Sequence, residues 1–420
     1  MASKTKKRKL KEQRNQNNNL IIILISIFMG ILALLQNKYG QFSDIRGFYG
    51  MHFSDGQHHW PFSSHKLTGS NEPMHPVEYP ALTGLIMWLI SFFVPTSNTA
   101  VINYYQITAV FQIVIFGLTT YIISKLTKKK YAIYFAISPA VLYSLNRNWD
   151  IWAIITLIWA VTLFEKHQYK KSAILLAFSI ATKFFPVVLL MPIAVELIRK
   201  KKLKVYLQYL SLALLTWLLI NAPFMLINFK GWSYFYEFSF NRGLGSASIF
   251  ELANIFGIDF LNKNSIYYLL NISIMLVLFL YFWNSKNIVS LRLSSFLTMF
   301  AFMLFNKQYS MQYVIWLTAL AVIAMSLISS SNRLKTLVFF SLWQISELLF
   351  QYSFFQHILT STFANTDTPV NPEISEFTYA NFGLMRYLFI IIFAIILILF
   401  SRSNLDNFAK NPVLAKREHN

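Results

Sequence analysis

The sequence predicts an all-α, polytopic integral membrane protein, and three observations carry that prediction. Hydrophobic residues make up 55% of the 420 and charged residues only 13%, too little polar surface for a soluble domain. Apolar runs recur from residue 20 almost to the end, with 40 Phe, 22 Tyr and 10 Trp in the chain. The runs are continuous and rich in Leu, Ile and Phe rather than alternating in polarity, which points to spanning helices and away from a β-barrel.

The chain opens on "MASKTKKRKLKEQRNQNNN" (1–19), basic and polar without periodicity, which reads as a disordered cytoplasmic tail. Lys and Arg number 37 against 17 Asp and Glu, a formal charge of +20. In a soluble protein that would suggest nucleic acid, but no aromatic or folded module accompanies the charge, and membrane orientation accounts for it. No small-x-small cleavage site follows the run 20–36, so it reads as an uncleaved first span. Residues 37–103 then form a first extracytoplasmic loop. Its apolar run 80–95, bounded by Pro80 and Pro95, is short for a crossing. Laid along the outer surface as an interfacial helix, it leaves most basic residues on the cytoplasmic side, "KLTKKK", "EKHQYKK" and "RKKKLK" among them. The remaining runs give about twelve spans in one polytopic domain over 20–401, with 402–420 as a cytoplasmic tail and both termini inside. Cysteine is absent, which removes disulfide and zinc–thiolate chemistry.

Runs 131–145, 151–164, 172–182 and 294–305 fall short of the roughly 17 residues a crossing needs. Their outer turns, "NRNWD" (146–150), "TKFFP" (182–186) and "FNKQYSMQY" (305–313), must dip below the surface. Charged, irregular backbone survives there only beside protein or a water-filled cavity. The sequence thus implies an outward-facing polar cavity lined by Asp150, Lys183, Asn306 and Lys307.

Asp44 and Arg46, in "SDIRGFYG" (43–50), stand where the chain leaves the first span, at the mouth of that cavity. One reading is a plain interfacial ion pair; the other is a carboxylate beside a dewatered pocket, tuned to take a proton. In "HPVEYPALTG" (75–84), Glu78 and Tyr79 sit between two prolines that fix the backbone, either as a rigid helix entrance or as substrate contacts. Asp150 reads as a cavity residue or as the N-cap of the following helix, and Trp149 and Trp152 read as interface anchors. Lys183, Lys307 and Arg242 are the cations of the outer half. Each alone would snorkel or neutralise an acid, but three around one recess suit an anion, phosphate above all. Glu347, inside a span, is a buried hydrogen-bonded acid or part of a cavity wall. The histidines His52, His58, His59, His65 and His75 match no zinc spacing, so no metal or other cofactor is expected; a divalent ion on histidines and carboxylates is the alternative.

The ordered set "EYPALTG" (78–84), "NRNWDIWA" (146–153), "ATKFFP" (181–186) and "FNKQYSMQYVIWL" (305–317) resembles glycosyltransferase family 87, the polyprenyl-phosphate-mannose-dependent mannosyltransferases of the GT-C class. The likeness runs from about residue 40 to 320, and Ala81 and Met311 stand where the family pattern usually carries proline. The resemblance implies a GT-C-like membrane fold and a catalytic base in the acid soon after the first span, here Asp44. It implies a polyprenyl-phosphate-linked sugar donor, a glycolipid or polysaccharide acceptor, and an extracytoplasmic active site at the plasma membrane. The residues argue compatibly on their own. Nucleotide sugars are cytoplasmic, whereas a lipid-phosphate sugar has already crossed; its phosphate leaves without a general acid, while the attacking hydroxyl needs a base. The expectation is transfer of one hexose by inverting single displacement, with Asp44 as base and Arg46, Glu78, Tyr79, Asp150, Lys183, Arg242, Asn306, Lys307 and Glu347 as substrate contacts. The alternatives are a transporter or lipid flippase, a glycan ligase, and a structural subunit of an envelope complex.

Overall fold

A computed structural model describes residues 20–41, 43–53, 58–66, 73–127, 129–245, 247–258, 264–363 and 374–410. The tail expected over 1–19 and residues 411–420 of the tail expected over 402–420 lie outside the described residues. The described chain is helical; its β-structure is an isolated antiparallel bridge between His65 and Met74. It divides into two compact units, residues 1–187 with 207–241 and residues 188–206 with 242–420.

Among the described residues, four helices are long and apolar enough to cross a bilayer: α4 (Ala100–Leu126), α10 (Leu203–Ile227), and stretches of α13 (Asn264–Asn284) and α17 (Glu376–Lys410). Other apolar helices are shorter: α1 (Leu20–Gln36), α3 (Ala81–Ser91), α14 (Leu291–Leu304) and α15 (Tyr313–Met325). The dozen apolar runs are thus not a dozen full-length helices. The run 131–145 shows why: Pro139 starts a new helix, splitting the run into α5 (Lys129–Ala136) and α6 (Pro139–Ser144). At 11 residues, α3 rises only about 16 Å, half of a hydrocarbon core.

The first unit also holds α2 (Asp44–His52), α7 (Asp150–Glu165), α8 (Tyr169–Thr182) and α11 (Phe229–Asn241). Helix α7 packs against both α4 and α8. Ala153, Ala160, Ala173 and Ala177 are buried on α7 and α8, and small side chains let the two backbones approach. Ser179 and Ser172 then donate across to the carbonyls of Ala153 and Ala160, each at 2.8 Å. The buried threonines of α4 are satisfied within the helix. Thr108 and Thr120 give their hydroxyl protons to carbonyls one turn back, at 2.8 and 2.9 Å. Leu214, Leu219 and Leu226 of α10 are exposed, as suits lipid rather than water.

The second unit contains α9 (Leu190–Arg199), α12 (Ile249–Ile255) and α13 to α17, with α16 spanning Arg333–Phe363. Its centre is α15, all 13 of whose residues are buried. α14 lies along α15, and α16 along α17. Leu269 and Ile272 of α13 face outward.

Candidate functional site

The residues singled out in the sequence fall into two groups. Asp44, Arg46, Glu78, Tyr79, Asp150 and Lys183 lie in the first unit, and Arg242, Asn306, Lys307 and Glu347 in the second.

In the first unit, α2 begins by docking on the turn before α7. Ser43 has the extended backbone of an N-cap, but its hydroxyl bonds outward, to the carbonyls of Asn146 at 2.9 Å and Arg147 at 3.0 Å. The backbone N–H of Asp44 donates to the Arg147 carbonyl at 2.9 Å, fixing the first turn of α2 in place. Asp44 is exposed at the N-terminus of α2. Tyr79 donates its hydroxyl to Asp44 Oδ2 at 3.3 Å.

Tyr79 is itself buried, edge-on to Phe48 at 5.3 Å and to Trp149 at 5.7 Å. Over its ring, 4.7 Å from the centroid, stands the ammonium of Lys183. Lys183 closes α8 in an extended conformation, and its Nζ lies 2.9 Å from Asp150 Oδ1. The result is a continuous series: carboxylate, ammonium, aromatic face, phenol, carboxylate. Thr83 of α3 donates to the Thr182 carbonyl at 2.6 Å, so "EYPALTG" and "ATKFFP" are tied beside the series.

Two readings need correction. Asp150 is the first helical residue of α7 rather than its N-cap; its own N–H is taken by Asn148 Oδ1 at 2.9 Å, which leaves the carboxylate for Lys183. Trp149 is buried in the core with Phe48 and Tyr79, not anchored at an interface. Arg46 donates to the Tyr39 carbonyl at 3.0 Å. Arg147, held by the Gln41 carbonyl at 2.7 Å, is an arginine whose charge reaches Asp44. Glu78 pairs with His75 at 3.5 Å.

In the second unit, Lys307 is buried and donates to the Arg242 carbonyl at 2.8 Å, with the rings of Tyr268 and Tyr267 at 5.4 and 5.7 Å. With the Gln308 amide turned as its neighbours demand, its oxygen accepts from Arg242 Nε at 3.0 Å and from the Gly245 N–H at 2.8 Å. Asn306 accepts from the Gln308 N–H at 3.4 Å. Glu347 is the buried acid, not a cavity wall: it is fully enclosed and accepts from Tyr309 and Trp343, each at 3.2 Å. Its counter-charge, Arg386, is equally enclosed at 3.9 Å and donates to the Ala247 carbonyl, as does Tyr387 at 3.0 Å. Glu251 and Tyr379 hold the Ala247 N–H, and burial pushes the Glu251 carboxyl up. Ala247 sits at φ 70°, left-handed backbone that costs a non-glycine residue about 1–2 kcal/mol, so four partners hold a strained residue in place.

Sequence reasoning missed Arg386, although a lone arginine in an apolar run is the natural partner for a lone glutamate in another. Among the described residues, no group of three His, Cys, Asp or Glu is placed to hold a metal ion. Comparison with protein-family models and with curated proteins gave no match.

Proposed function

We propose that this chain is a membrane glycosyltransferase that moves one hexose, mannose on the family resemblance, from a polyprenyl-phosphate donor to an extracytoplasmic glycolipid or glycan. The observation that carries the reading is the convergence, in one unit, of four separated stretches: Asp44, Tyr79, Trp149 with Asp150, and Lys183. A transferase of this type needs a base and a cation close together. Asp44 takes the proton of the acceptor hydroxyl. The freed oxygen attacks the anomeric carbon from the face opposite the phosphate, the carbon–oxygen bond to phosphate breaks, and the phosphate departs with the electron pair. Lys183, kept charged beside Asp150, stabilises that phosphate. Tyr79 orients Asp44 through its hydroxyl. In this reading the chain lies in the plasma membrane, both termini are cytoplasmic, and residues 37–103 face outward.

The test is incubation of the purified protein in nanodiscs with labelled polyprenyl-phosphate hexoses and an envelope lipid extract. Wild type should label a lipid or glycan product, and Asp44→Asn should slow labelling by at least about 100-fold. Wild-type turnover by Asp44→Asn would end the catalytic assignment. Sidedness is checked separately. The chain has no cysteine, and Gly47 is exposed with open space around it, so Gly47→Cys reports by its reaction with an impermeant maleimide which compartment α2 faces.

A second reading, transport, is favoured by the enclosed Glu347–Arg386 pair, since charges within apolar helices commonly serve ion or substrate pathways. Movement of a labelled lipid across proteoliposomes without any covalent product would support it.

A further inference from the structure

Five of the eight histidines lie within residues 52–75, and the proposed transfer uses none of them. His58 stands apart, stacked on Phe92 at 4.4 Å and bonded to Ser91 Oγ at 2.9 Å. The other four gather. His52, the last residue of α2, is fully buried, with its ring centre 5.6 Å from that of His65 and 6.4 Å from that of His75. His59 and His65 stack at 4.0 Å with 12° between their planes. The His65–Met74 bridge joins the two stretches of loop that carry them, and His75 stacks on Tyr234 of α11 at 5.0 Å.

The rings differ in their hydrogen-bond partners. The Nδ1 of His75 faces the Pro76 carbonyl at 2.9 Å, and its Nε2 stands 3.5 Å from Glu78 Oε1. With acceptors at both nitrogens, an imidazolium fits there. His65 likewise faces the Met51 carbonyl at 3.3 Å and the Ser63 carbonyl at 3.5 Å. His52 has no hydrogen-bond partner at either nitrogen. Burial first, and then the charges of His65, His75 and His59, push His52 down to about 3. Around the cluster, Glu78 meets it through His75, Tyr234 approaches from α11, Tyr49 lies one turn back on α2, and exposed Lys66 follows His65 in the chain. A shared metal ion would need converging lone pairs, which two rings stacked face to face do not offer.

We propose that His52, His59, His65 and His75 form a proton-operated latch on the 73–79 stretch. With at most one proton, shared between His75 and Glu78, the rings pack together and hold that stretch against α2, where Tyr79 reaches Asp44. Further protons on both His59 and His65 place like charges on rings 4.0 Å apart, next to a buried ring that cannot share them, and the stretch comes away. The latch itself stands without the transferase reading. Its consequence, loss of the Tyr79–Asp44 bond and of transfer at acid pH, rests on that reading.

The experiment is amide hydrogen exchange of the full chain in nanodiscs at about pH 7.5 and about pH 5, the span over which imidazoles titrate, with rates corrected for the intrinsic effect of pH. Peptides covering 43–53 and 73–80 should lose protection several-fold at the lower pH. In a His59→Asn, His65→Asn variant that loss should vanish, while His167→Asn, in a turn far along the chain, should keep it. Equal protection at both pH values in wild type overturns the latch, as does an unchanged acid loss in the double variant. If the double variant has lost protection in α4 and α7 as well, and so is misfolded, the single variant His59→Asn takes its place, since it removes one ring of the stacked pair: a vanished acid loss supports the latch and an unchanged one overturns it. Protection gained at neutral pH on adding Zn²⁺, without an acid effect, would make the cluster a metal site instead. No sugar donor enters this assay, so its failure and the failure of the transferase reading remain distinct.

Discussion

In each unit one acid–base pair links distant segments inside apolar structure, Asp150–Lys183 in the first and Glu347–Arg386 in the second, and the two differ in a telling way. Asp150 and Lys183 are 2.9 Å apart, with the carboxylate buried and the ammonium reaching partly to the surface. Glu347 and Arg386 are both sealed, yet stand 3.9 Å apart. Burial alone would favour the closer contact in the second pair. Instead each partner there is shared out: Glu347 among Tyr309 and Trp343, Arg386 among Ala247, Phe350 and Tyr309. The sealed pair is a strap that fixes the strained Ala247 and the loop before it. The reachable pair carries a cation beside the Tyr79–Asp44 contact, where a ligand could meet it.

That contrast is broken most sharply by Arg386→Met. Removing one member of an enclosed pair leaves an uncompensated charge, and here it also releases the Ala247 carbonyl, so the loss should be about 3–5 kcal/mol in thermal unfolding. Adding Glu347→Gln should restore much of it, because the double variant has no buried charge left to compensate. A single variant costing under about 1 kcal/mol would show that the strap holds nothing.

The reachable pair should respond asymmetrically. Lys183→Met strands a carboxylate that is 1% exposed, and about 2–3 kcal/mol should be lost. Asp150→Ala strands a lysine that can swing its ammonium to water, so the cost should be nearer 1 kcal/mol. Equal costs would mean that Lys183 is as confined as Arg386.

Much of the first unit's arrangement was legible in the sequence. Short apolar runs ending in charged turns placed Asp150 and Lys183 together, and the proline-bracketed Glu78 and Tyr79 stood out beside them. Periodicity could not reveal that Asn148 Oδ1 takes the Asp150 N–H, nor that Trp149 turns inward; both depend on which loop packs behind the turn. The strap was less legible still. Arg386 and Ala247 are 139 positions apart, and the bond between them depends on tertiary packing that no local pattern encodes. Hydropathy also does not register breaks such as the one Pro139 makes, so the run 131–145 forms two short helices rather than one.

His52 offers a finer comparison, between a buried ring with no partner and the buried charges that have them. Its folded pKa of about 3 lies below the ordinary 6.5, so between these values the unfolded chain binds the extra proton. Its contribution is whole above about pH 6.5 and drains as pH falls toward 3, by at most about 1.4 kcal/mol per pH unit for one proton. In unfolding measured across that window, His52→Asn should flatten the acid side of the curve. An unchanged slope would place the acid sensitivity elsewhere.

The smallest effect is expected at Gly245, at the other end of the loop that the strap secures. A Cβ there would fall 1.6 Å from Gln308 Oε1, an overlap that forces something to move. What moves is the end of a flexible amide, so Gln308 can rotate away and lose its bonds to Arg242 Nε and the Gly245 N–H without shifting backbone. Gly245→Ala should therefore cost only about 1 kcal/mol, the net worth of such hydrogen bonds. Gly231 in the first unit makes the contrast, because a Cβ there would meet the Phe62 carbonyl oxygen at 1.7 Å and backbone cannot step aside so cheaply. If Gly245→Ala proved as damaging as Gly231→Ala in thermal unfolding, the loop would be rigid along its whole length rather than clamped at Ala247 and adjustable at Gln308.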